Sequence, residues 1–347
     1  MKKGHSKPVS LLIIYTGGTI GMVQNSSNGS LRPFSFENIL DELPELRNAG
    51  YQIGSYSFNP LLDSANINPD VWIAIAEVIE DYYNSFDGFI VLHGTDTMAY
   101  SASALSFLLE NLQKPVIFTG SQLPVGSIRT DAKENLMTSI EIAAQKNNGK
   151  SVIPEVAIFF QNTLFRGNRT TKHNAEEFKA FQSYNYPMLA ESGVHLKYNY
   201  PAIGNFSSSN ELIVHKELNR EIAILKIFPG INQKVVKATM DIKGLQGVVL
   251  ETFGAGNAPN EKWFLDEIEN AIKKGIIVLN VTQCGKGRVE MGIYETNIAL
   301  EKLGVVSGND ITTEAAITKF MYLLSRYDSK QKIIDNLNKS LRGEITI

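Results

Sequence analysis

Short apolar runs alternate along this chain with amphipathic segments that have helical spacing. The first run, Leu11–Tyr15, has the length of one buried strand. Behind Asn68-Pro69, apolar residues recur at three- and four-residue intervals from Val71 to Tyr82. This spacing predicts a helix with Asn68 as its N-cap and proline in its first turn. Strands separated by helices indicate βαβ units and a mostly parallel sheet.

The same criteria predict two groups of elements, one on each side of a break at Tyr184–Asn210. In the first group the strands are Gly88–Leu92, Pro115–Phe118 and Val156–Phe160, and the helices are Ser101–Leu112 and Asp131–Ala144. In the second group the strands are Ile222–Ile227, Gly247–Leu250 and Ile276–Val281, and the helices are Glu261–Lys274 and Thr313–Leu324. We therefore expect an α/β protein. Its larger N-terminal domain has a mostly parallel sheet, and its smaller C-terminal domain has a parallel sheet.

The length of 347 residues is more than one hydrophobic core usually serves, so two domains are expected. The break at Tyr184–Asn210 is rich in proline, glycine and serine, and it has neither the apolar runs of strands nor the spacing of helices. We predict an N-terminal domain over residues 1–195 that carries the catalytic threonines, a linker over 196–216 and a C-terminal domain over 217–347.

Charge and composition restrict the partners and the compartment. The net charge of −3, from 33 basic and 36 acidic residues, gives no electrostatic reason to expect nucleic acid. No apolar run approaches the roughly 20 residues of a membrane span, so no membrane partner is expected. The single cysteine, Cys284, cannot form an intramolecular disulfide, which fits a reducing compartment. Because the first apolar run ends in Thr-Gly-Gly without a cleavage signal, we expect a cytoplasmic protein.

The first candidate site is Thr16-Gly17-Gly18-Thr19-Ile20-Gly21, directly after the first predicted strand. Ligands of parallel sheets bind beyond the carboxyl ends of strands, and paired glycines let backbone N–H groups approach a ligand. A dinucleotide fingerprint would open a helix here, but the polar stretch Asn25–Gly29 follows instead. A phosphate loop would need Gly-Lys-Ser/Thr, which is absent. The glycines alone also fit a plain strand-to-loop turn.

Two further polar segments are candidates, His93-Gly94-Thr95-Asp96-Thr97-Met98 and Arg166-Gly167-Asn168-Arg169-Thr170-Thr171-Lys172. The first follows strand Gly88–Leu92, and we place the second after strand Val156–Phe160. His93 alone is more often a buried, hydrogen-bonded histidine than a general base. The second segment alone fits a basic surface loop, although a buried Lys172 can lose its proton and serve as a base. The sequence contains no Gly-x-Ser-x-Gly elbow, which disfavours a serine hydrolase. It contains no His-Glu-x-x-His or Cys-x-x-Cys and its five histidines are scattered, so we predict no metal, and we also predict no cofactor.

Taken together, these threonine-rich segments resemble the bacterial-type L-asparaginases, and within them the cytoplasmic type I branch. Thr-Gly-Gly-Thr-Ile-Gly followed about 75 residues later by His-Gly-Thr-Asp-Thr-Met is a specific pair. The resemblance spans nearly the whole chain and also includes Leu62-Asp63-Ser64, Arg169-Thr170-Thr171-Lys172, Gly254-Ala255-Gly256-Asn257-Ala258-Pro259 and Leu341-Arg342-Gly343-Glu344.

The resemblance implies hydrolysis of L-asparagine to L-aspartate and ammonia through an acyl-enzyme. It assigns the nucleophile to Thr19 and not to Thr16. Thr95, Asp96 and Lys172 are the other implied catalytic residues, and Thr95 and Asp96 also bind substrate, together with Gly18, Asp63 and Ser64. A hydroxyl needs a neighbouring base at neutral pH. A relay of Thr95, Lys172 and Asp96, with Lys172 neutral in a closed pocket, would take up and return a proton.

One departure from the family concerns activation of the nucleophile. Many members carry a tyrosine in the loop after the first motif, whereas this chain has Gly29, Ser30 and Leu31 at the nearest positions. The residue that accepts the first proton is therefore open. The family also implies a homo-oligomer, either a dimer or a dimer-of-dimers tetramer.

Four alternative functions are weighed against this assignment. The nearest is a glutaminase-asparaginase. Glutamine has one methylene group more than asparagine, and one methylene group lets a site discriminate between two substrates by only about 1–3 kcal/mol. An archaeal-type subunit that supplies ammonia for tRNA-dependent amidation would carry an additional N-terminal domain, whereas this chain enters its first strand at about residue 11. A non-catalytic amino-acid sensor is disfavoured because Thr19, Thr95, Asp96 and Lys172 occur together. A nucleotide-binding enzyme is the least favoured alternative, since no helix follows the glycines.

Overall fold

The computed structural model of the chain describes residues 8–24, 31–33, 50–204, 210–293 and 295–346. The chain divides into two units, residues 1–216 and residues 217–347. The first unit holds a large, mostly parallel sheet with helices, and the second holds a smaller parallel sheet with helices. This confirms the predicted α/β class, with a larger N-terminal and a smaller C-terminal part.

The first unit contains sixteen strands and three α-helices within the described ranges. The strands are β1 (Ser10–Gly17), β2 (Met22–Gln24), β3 (Leu31–Pro33), β4 (Gln52–Leu62), β5 (Gly88–Leu92), β6 (Leu109–Glu110), β7 (Val116–Thr119), β8 (Lys146–Asn147), β9 (Lys150–Ser151), β10 (Val156–Phe160), β11 (Thr163–Arg166), β12 (Thr171–Lys172), β13 (Phe181–Gln182), β14 (Ala190–Ser192), β15 (Leu196–Tyr198) and β16 (Ile213–Val214). The helices are α1 (Pro69–Tyr82), α2 (Met98–Leu108) and α3 (Ala132–Ala144). Three short 3₁₀ turns cover Thr19–Gly21, Ser64–Asn66 and Gly167–Arg169.

The large sheet has the strand order β15-β14-β11-β10-β7-β5-β1-β4. The five strands β10, β7, β5, β1 and β4 run parallel, so their carboxyl ends meet at one edge. The other three, β11, β14 and β15, are added antiparallel. Polar loops that leave β1, β4, β5 and β7 are therefore neighbours, which is the usual place for a ligand site in such a sheet.

The apolar strands form the core of this unit. All eight residues of β1 and all five of β5 are buried, as is typical of central strands covered on both faces. Helix α1 begins as predicted, because the Asn68 side chain accepts a hydrogen bond of 3.0 Å from the Asp70 N–H. The strand ends that carry the polar loops therefore belong to a tightly packed layer.

Two sequence predictions in this unit are wrong in detail. Helix α2 begins at Met98 and ends at Leu108, before the predicted end, since residues 109–110 pair with β16. The segment that carries Lys172 does not follow β10 directly, because β11 intervenes. Gln161 and Asn162, with φ of 44° and 64°, join β10 and β11 in a tight hairpin. Neither residue is glycine, so the turn was not evident from the sequence.

The boundaries of the predicted linker stay a prediction. Within its residues 196–216, the structure places strand β15, which pairs with β14, and strand β16, which pairs with β6. Both belong to the first unit.

The second unit contains a four-stranded parallel sheet in the order β17-β18-β19-β20. Its strands are β17 (Ile222–Lys226), β18 (Gly247–Thr252), β19 (Ile277–Thr282) and β20 (Val306–Ser307). Its helices are α4 (Gln233–Met240), α5 (Lys262–Lys273), α6 (Glu295–Leu303), α7 (Thr313–Arg326) and α8 (Lys330–Leu337). Across the described parts of the whole chain, none of the helices is long and apolar enough to cross a membrane.

A buried ion pair ties the C-terminal segment to this unit. The Lys319 ammonium on α7 lies 2.7 Å from a Glu344 carboxylate oxygen, and both side chains are 0% exposed. The ammonium also donates to the carbonyls of Leu337 and Lys339, at 2.9 and 2.6 Å. The carboxylate accepts from the N–H groups of Leu341 and Arg342. Every charge in this pair is therefore compensated only while the segment stays in place.

Glu344→Ala is expected to lower the free energy of unfolding by about 3–5 kcal/mol, because it leaves the Lys319 ammonium buried without its counter-charge. Urea unfolding followed by circular dichroism measures the change. Asp266→Ala is the control, since it removes an exposed i,i+4 partner of Lys262 and should change stability little. Equal stability of the two variants would contradict the structural role of the pair.

Candidate active site

The glycine-rich motif forms the end of β1 and the 3₁₀ turn Thr19–Gly21. Thr16 is buried and its hydroxyl donates to the Leu92 carbonyl of the neighbouring strand at 2.9 Å. Thr19 lies one turn later and is partly exposed. Thr16 therefore ties two strands together, whereas the Thr19 side chain lies where a ligand can reach it.

The two adjacent glycines bring this turn into direct contact with the neighbouring strand ends. A Cβ atom on Gly17 would lie 2.1 Å from the Leu62 carbonyl oxygen at the end of β4. A Cβ atom on Gly18 would lie 2.5 Å from the Gly94 nitrogen after β5. Both residues have left-handed φ, at 132° and 91°, which side chains disfavour. The motif therefore brings its backbone against the backbone of two neighbouring strand ends, and the predicted approach to a ligand stays a prediction.

At Gly94 the loop after β5 contacts both the turn after β1 and the turn after β4. A Cβ atom on Gly94 would lie 2.5 Å from the Ser64 hydroxyl oxygen, so the Ser64 side chain rests on this glycine. The Thr97 hydroxyl donates to the Ser64 carbonyl at 2.7 Å. Gly18, Ser64 and Thr95 therefore lie around one point at the carboxyl edge of the sheet.

Lys172 joins this group through its ammonium. Its Nζ donates to the Thr95 hydroxyl at 2.9 Å and lies 2.7 Å from a carboxylate oxygen of Asp96. The Lys172 side chain is 16% exposed, whereas that of Asp96 is 65% exposed. The structure thus brings Thr95, Asp96 and Lys172 into direct contact, with the lysine covered and one face of the aspartate open.

The Lys172 segment reaches this edge by an indirect path. After β11 the 3₁₀ turn Gly167–Arg169 packs against α2, where a Cβ atom on Gly167 would lie 3.1 Å from the Ala102 Cβ. The start of the segment is held by Arg166, whose buried guanidinium lies 2.6 Å from the Glu155 carboxylate. Residues Thr171 and Lys172 then pair with β13. The contacts with α2 and Glu155 and the pairing with β13 therefore fix a segment whose sequence, taken alone, resembles a surface loop.

Asp63 lies beside the site without joining the polar contacts of Lys172. It is exposed, and its carboxylate accepts from the Ala65 N–H at 2.9 Å, which caps the turn Ser64–Asn66. A cavity of about 290 Å³ adjoins the turn Thr19–Gly21, and Gly18 and Asp63 are among the residues that line this cavity. Of the positions where the family tyrosine was sought, Gly29 and Ser30 lie outside the described residues.

Sequence reasoning missed Gln122, which contacts Thr95. The Thr95 hydroxyl lies 3.3 Å from the Gln122 side-chain oxygen, to which it donates. The Gln122 amide nitrogen donates to the Glu177 carbonyl at 3.1 Å, and its backbone N–H donates to Asp131 at 3.0 Å. The signal was present, because Gln122 follows the predicted strand Pro115–Phe118 just as Thr95 follows its own strand.

His93 is a structural residue. It is fully buried, and Nδ1 donates to the Gly94 carbonyl at 2.7 Å. Since a carbonyl only accepts, Nε2 is the acceptor for the Ser101 hydroxyl at 2.9 Å. The Trp72 indole N–H in turn donates to Ser101 at 2.9 Å. Burial lowers the pKa of His93 to about 4, so the ring is neutral at neutral pH and orients the Gly94 backbone.

Comparison with known proteins agrees with this geometry. Residues 10–204 match the family "Asparaginase, N-terminal", and residues 221–336 match "Glutaminase/Asparaginase C-terminal domain". The chain is 44% identical over 341 residues to L-asparaginase 1 of Escherichia coli (strain K12), covering 97% of this chain and 98% of that protein.

Solved structures agree over the same length. The crystal structure of L-asparaginase I from Vibrio cholerae O1 biovar eltor str. N16961 superposes with a TM-score of 0.88 at 39% identity, covering 98% of this chain and all 100% of that one. The thermostable L-asparaginase from Thermococcus kodakarensis gives a TM-score of 0.88 at 31% identity, covering 97% of this chain and 99% of that one.

The fold and the site define an amidohydrolase of two α/β parts with a threonine-rich site at the carboxyl edge of its larger sheet. Within that class, the chain belongs to the asparaginase family.

His93→Gln is expected to flatten the pH dependence of stability. The folded pKa is about 4 and the ordinary value is 6.5, so between them the unfolded chain binds the proton and the folded protein does not. The free energy of unfolding of the parent therefore falls as the pH drops through this window, by about 1.4 kcal/mol per pH unit from this group. Urea unfolding of both proteins between about pH 4 and pH 7 measures the difference in slope. Parallel curves would show that His93 is not buried in its neutral form.

Proposed function

We infer that the chain is an L-asparaginase, which hydrolyses L-asparagine to L-aspartate and ammonia through an acyl-enzyme on Thr19. The observation that carries this proposal is the contact of Lys172 with both Thr95 and Asp96, one residue from the Gly94 backbone on which the nucleophile turn rests. A hydroxyl nucleophile needs a relay of this kind nearby.

In the first step the Thr19 hydroxyl oxygen attacks the side-chain amide carbon of asparagine. The carbon–nitrogen bond breaks, the hydroxyl proton ends on the departing ammonia, and an aspartyl ester remains on Thr19. Backbone N–H groups of the tightly packed turn and of the loop at Thr95 would bind the oxyanion that forms in this step. Such a donor contributes about 3–4 kcal/mol of transition-state stabilisation in enzymes where it has been removed. The group that first accepts the Thr19 proton stays open.

In the second step water attacks the ester carbon. With Lys172 as the neutral amine in the reacting form, one proton of the water passes to Thr95 as the Thr95 proton moves to Lys172, which becomes the ammonium. That proton then returns through Thr95 to the Thr19 oxygen as the ester carbon–oxygen bond breaks. Asp96 stabilises the ammonium form of Lys172 at 2.7 Å. Because the Lys172 side chain is largely covered, its proton exchanges along this relay more readily than with bulk water.

Recognition of the amino acid follows from the charges around the site. Asp96 keeps most of its carboxylate exposed while it holds Lys172, so it can pair with the substrate α-ammonium. The Ser64 hydroxyl, held against Gly94, suits the α-carboxylate together with neighbouring backbone N–H groups. Gly18 and Asp63 line the adjoining cavity and complete the proposed substrate site.

Gln122 is proposed to orient Thr95 for the relay. Its side-chain oxygen accepts a hydrogen bond from the Thr95 hydroxyl at 3.3 Å, while the Lys172 nitrogen donates to the Thr95 hydroxyl oxygen at 2.9 Å. The two contacts hold Thr95 in one rotamer. A short rotation of its hydroxyl hydrogen then redirects the proton towards Lys172.

We also propose that the chain acts in the cytoplasm as a homo-oligomer, either a dimer or a dimer-of-dimers tetramer. The family resemblance supports both statements. Sedimentation equilibrium of the purified chain discriminates between the two assemblies, and fractionation of the native cell tests the location.

Thr19→Ala is expected to lower kcat for ammonia release from L-asparagine by at least about 1,000-fold, since it removes the attacking oxygen. A coupled ammonia assay with L-asparagine and L-glutamine measures the loss and separates an asparaginase from a glutaminase-asparaginase. Thr16→Val is the matched control, because it loses the bond to Leu92 and should reduce stability by about 1 kcal/mol while turnover persists. Unchanged turnover in Thr19→Ala would refute the nucleophile assignment.

Gln122→Leu is expected to lower kcat by up to about 10-fold with KM nearly unchanged, since it removes one net hydrogen bond to the relay. Steady-state kinetics across pH measures both constants. Gln113→Leu is the control, because that glutamine donates to the Asn210 carbonyl away from the site. A rise in KM at constant kcat would assign Gln122 to substrate binding instead.

A further inference from the structure

The ring of Tyr15 lies directly beneath the nucleophile turn. A Cβ atom on Gly21 would lie 1.8 Å from the Tyr15 hydroxyl oxygen, 2.4 Å from Cζ and 3.0 Å from Cε2. Gly21 has no left-handed φ, unlike Gly17 and Gly18. The backbone at Gly21 therefore accepts any L-residue, and the space taken by the phenol is what requires glycine there.

The Tyr15 side chain packs in the core of the first unit and also lines the cavity of about 290 Å³ beside the turn. It is 1% exposed and belongs to the main core of the first unit, together with Ile13, Ile20 and Leu92. Its backbone lies on the central strand β1, paired with Ser57 on one side and Leu92 on the other. Burial raises the pKa of the phenol to about 12, so it packs as a neutral group at neutral pH. Displacing this ring would disturb the sheet itself.

The turn transmits the position of Gly21 to Thr19. The Gly21 N–H donates to the Gly18 carbonyl at 3.3 Å, which closes the turn around Thr19. The Met22 N–H donates to the Thr19 carbonyl, and the Val125 N–H donates to the Ile20 carbonyl at 3.3 Å. A shift of Gly21 away from Tyr15 therefore moves the Thr19 backbone with it.

We propose that Tyr15 is a positioning residue for Thr19. The Tyr15 ring fixes the position of the turn Thr19–Gly21 through a contact that only glycine at position 21 permits. The proposal rests on Thr19 as the nucleophile. Gly18 packs against Gly94 at the start of the turn, and Tyr15 packs against Gly21 at its end. Misplacement of a reacting group by about 1 Å can cost about 100-fold in rate, so a rigid base under the turn matters for kcat.

The test is Gly21→Ala, assayed as the full chain with L-asparagine. Its kcat, corrected for the folded fraction by circular dichroism, is expected to fall by about 100-fold while KM stays within about threefold. Gly54→Ala is the matched control. A Cβ atom there would lie 2.6 Å from the Phe86 ring, again without left-handed φ, but on β4 away from the turn. It should lower the melting temperature and leave kcat of the folded enzyme unchanged.

Variants of the ring decide whether the contact itself is responsible. Tyr15→Phe keeps the ring beneath the turn and is expected to keep kcat within about threefold. Tyr15→Leu in the Gly21→Ala background opens space for the new methyl group. Tyr15→Leu alone removes the ring and is expected to lower kcat by about tenfold, and in that background Gly21→Ala is expected to cost less than about threefold more, a coupling expected of residues in contact.

Three results would overturn the proposal: parental kcat in Gly21→Ala, an equal loss of kcat in Gly54→Ala, or single-variant losses of Tyr15→Leu and Gly21→Ala that multiply in full in the double variant. The Thr19→Ala variant separates this outcome from failure of the proposed function. If Thr19→Ala is inactive and Gly21→Ala is fully active, Thr19 is the nucleophile and Tyr15 does not position it. If Thr19→Ala is active, the nucleophile assignment itself fails.

Discussion

The structure depends on the close approach of backbone at the ends of three parallel strands. Gly17 meets Leu62 after β4, and Gly18 meets Gly94 after β5, at distances that leave no space for a Cβ atom. Because parallel strands end at one edge, these contacts gather Thr19, Ser64 and Thr95 at one place. The burial of β1 and β5 makes the arrangement rigid.

Rigid backbone also explains how two threonines three residues apart take different roles. Thr16 faces the neighbouring strand and donates to a main-chain carbonyl, whereas Thr19 sits in the turn that the glycines press against the site. The lysine reaches the same place by another route, through a hairpin and a segment held by the buried pair of Arg166 and Glu155. The site therefore combines Thr19, held in a fixed turn, with the largely covered Lys172. This combination suits the proposed roles of nucleophile and proton acceptor in the cleavage of an unactivated amide.

Sequence patterns predicted the central strands, helix α1 and the loops at their ends, because periodicity and capping are local properties. They did not predict the hairpin at Gln161 and Asn162, whose positive φ values occur without glycine. The position of Gln122 after a predicted strand places it near the site, but local patterns do not show that it contacts Thr95, or that Gly21 is glycine because of Tyr15 six residues earlier. Those features arise from packing between loops, and only three-dimensional proximity reveals them.

The central claim is that Thr19 carries the substrate acyl group during turnover. Rapid acid quench of the enzyme with L-asparagine, followed by peptide mass spectrometry, tests it most directly. We expect a mass increase of one aspartyl group on the peptide that contains Thr19, and loss of the adduct on treatment with hydroxylamine, which cleaves esters. An adduct on Thr16, Thr95 or another residue would contradict this mechanism, as would turnover with no adduct under conditions that trap one.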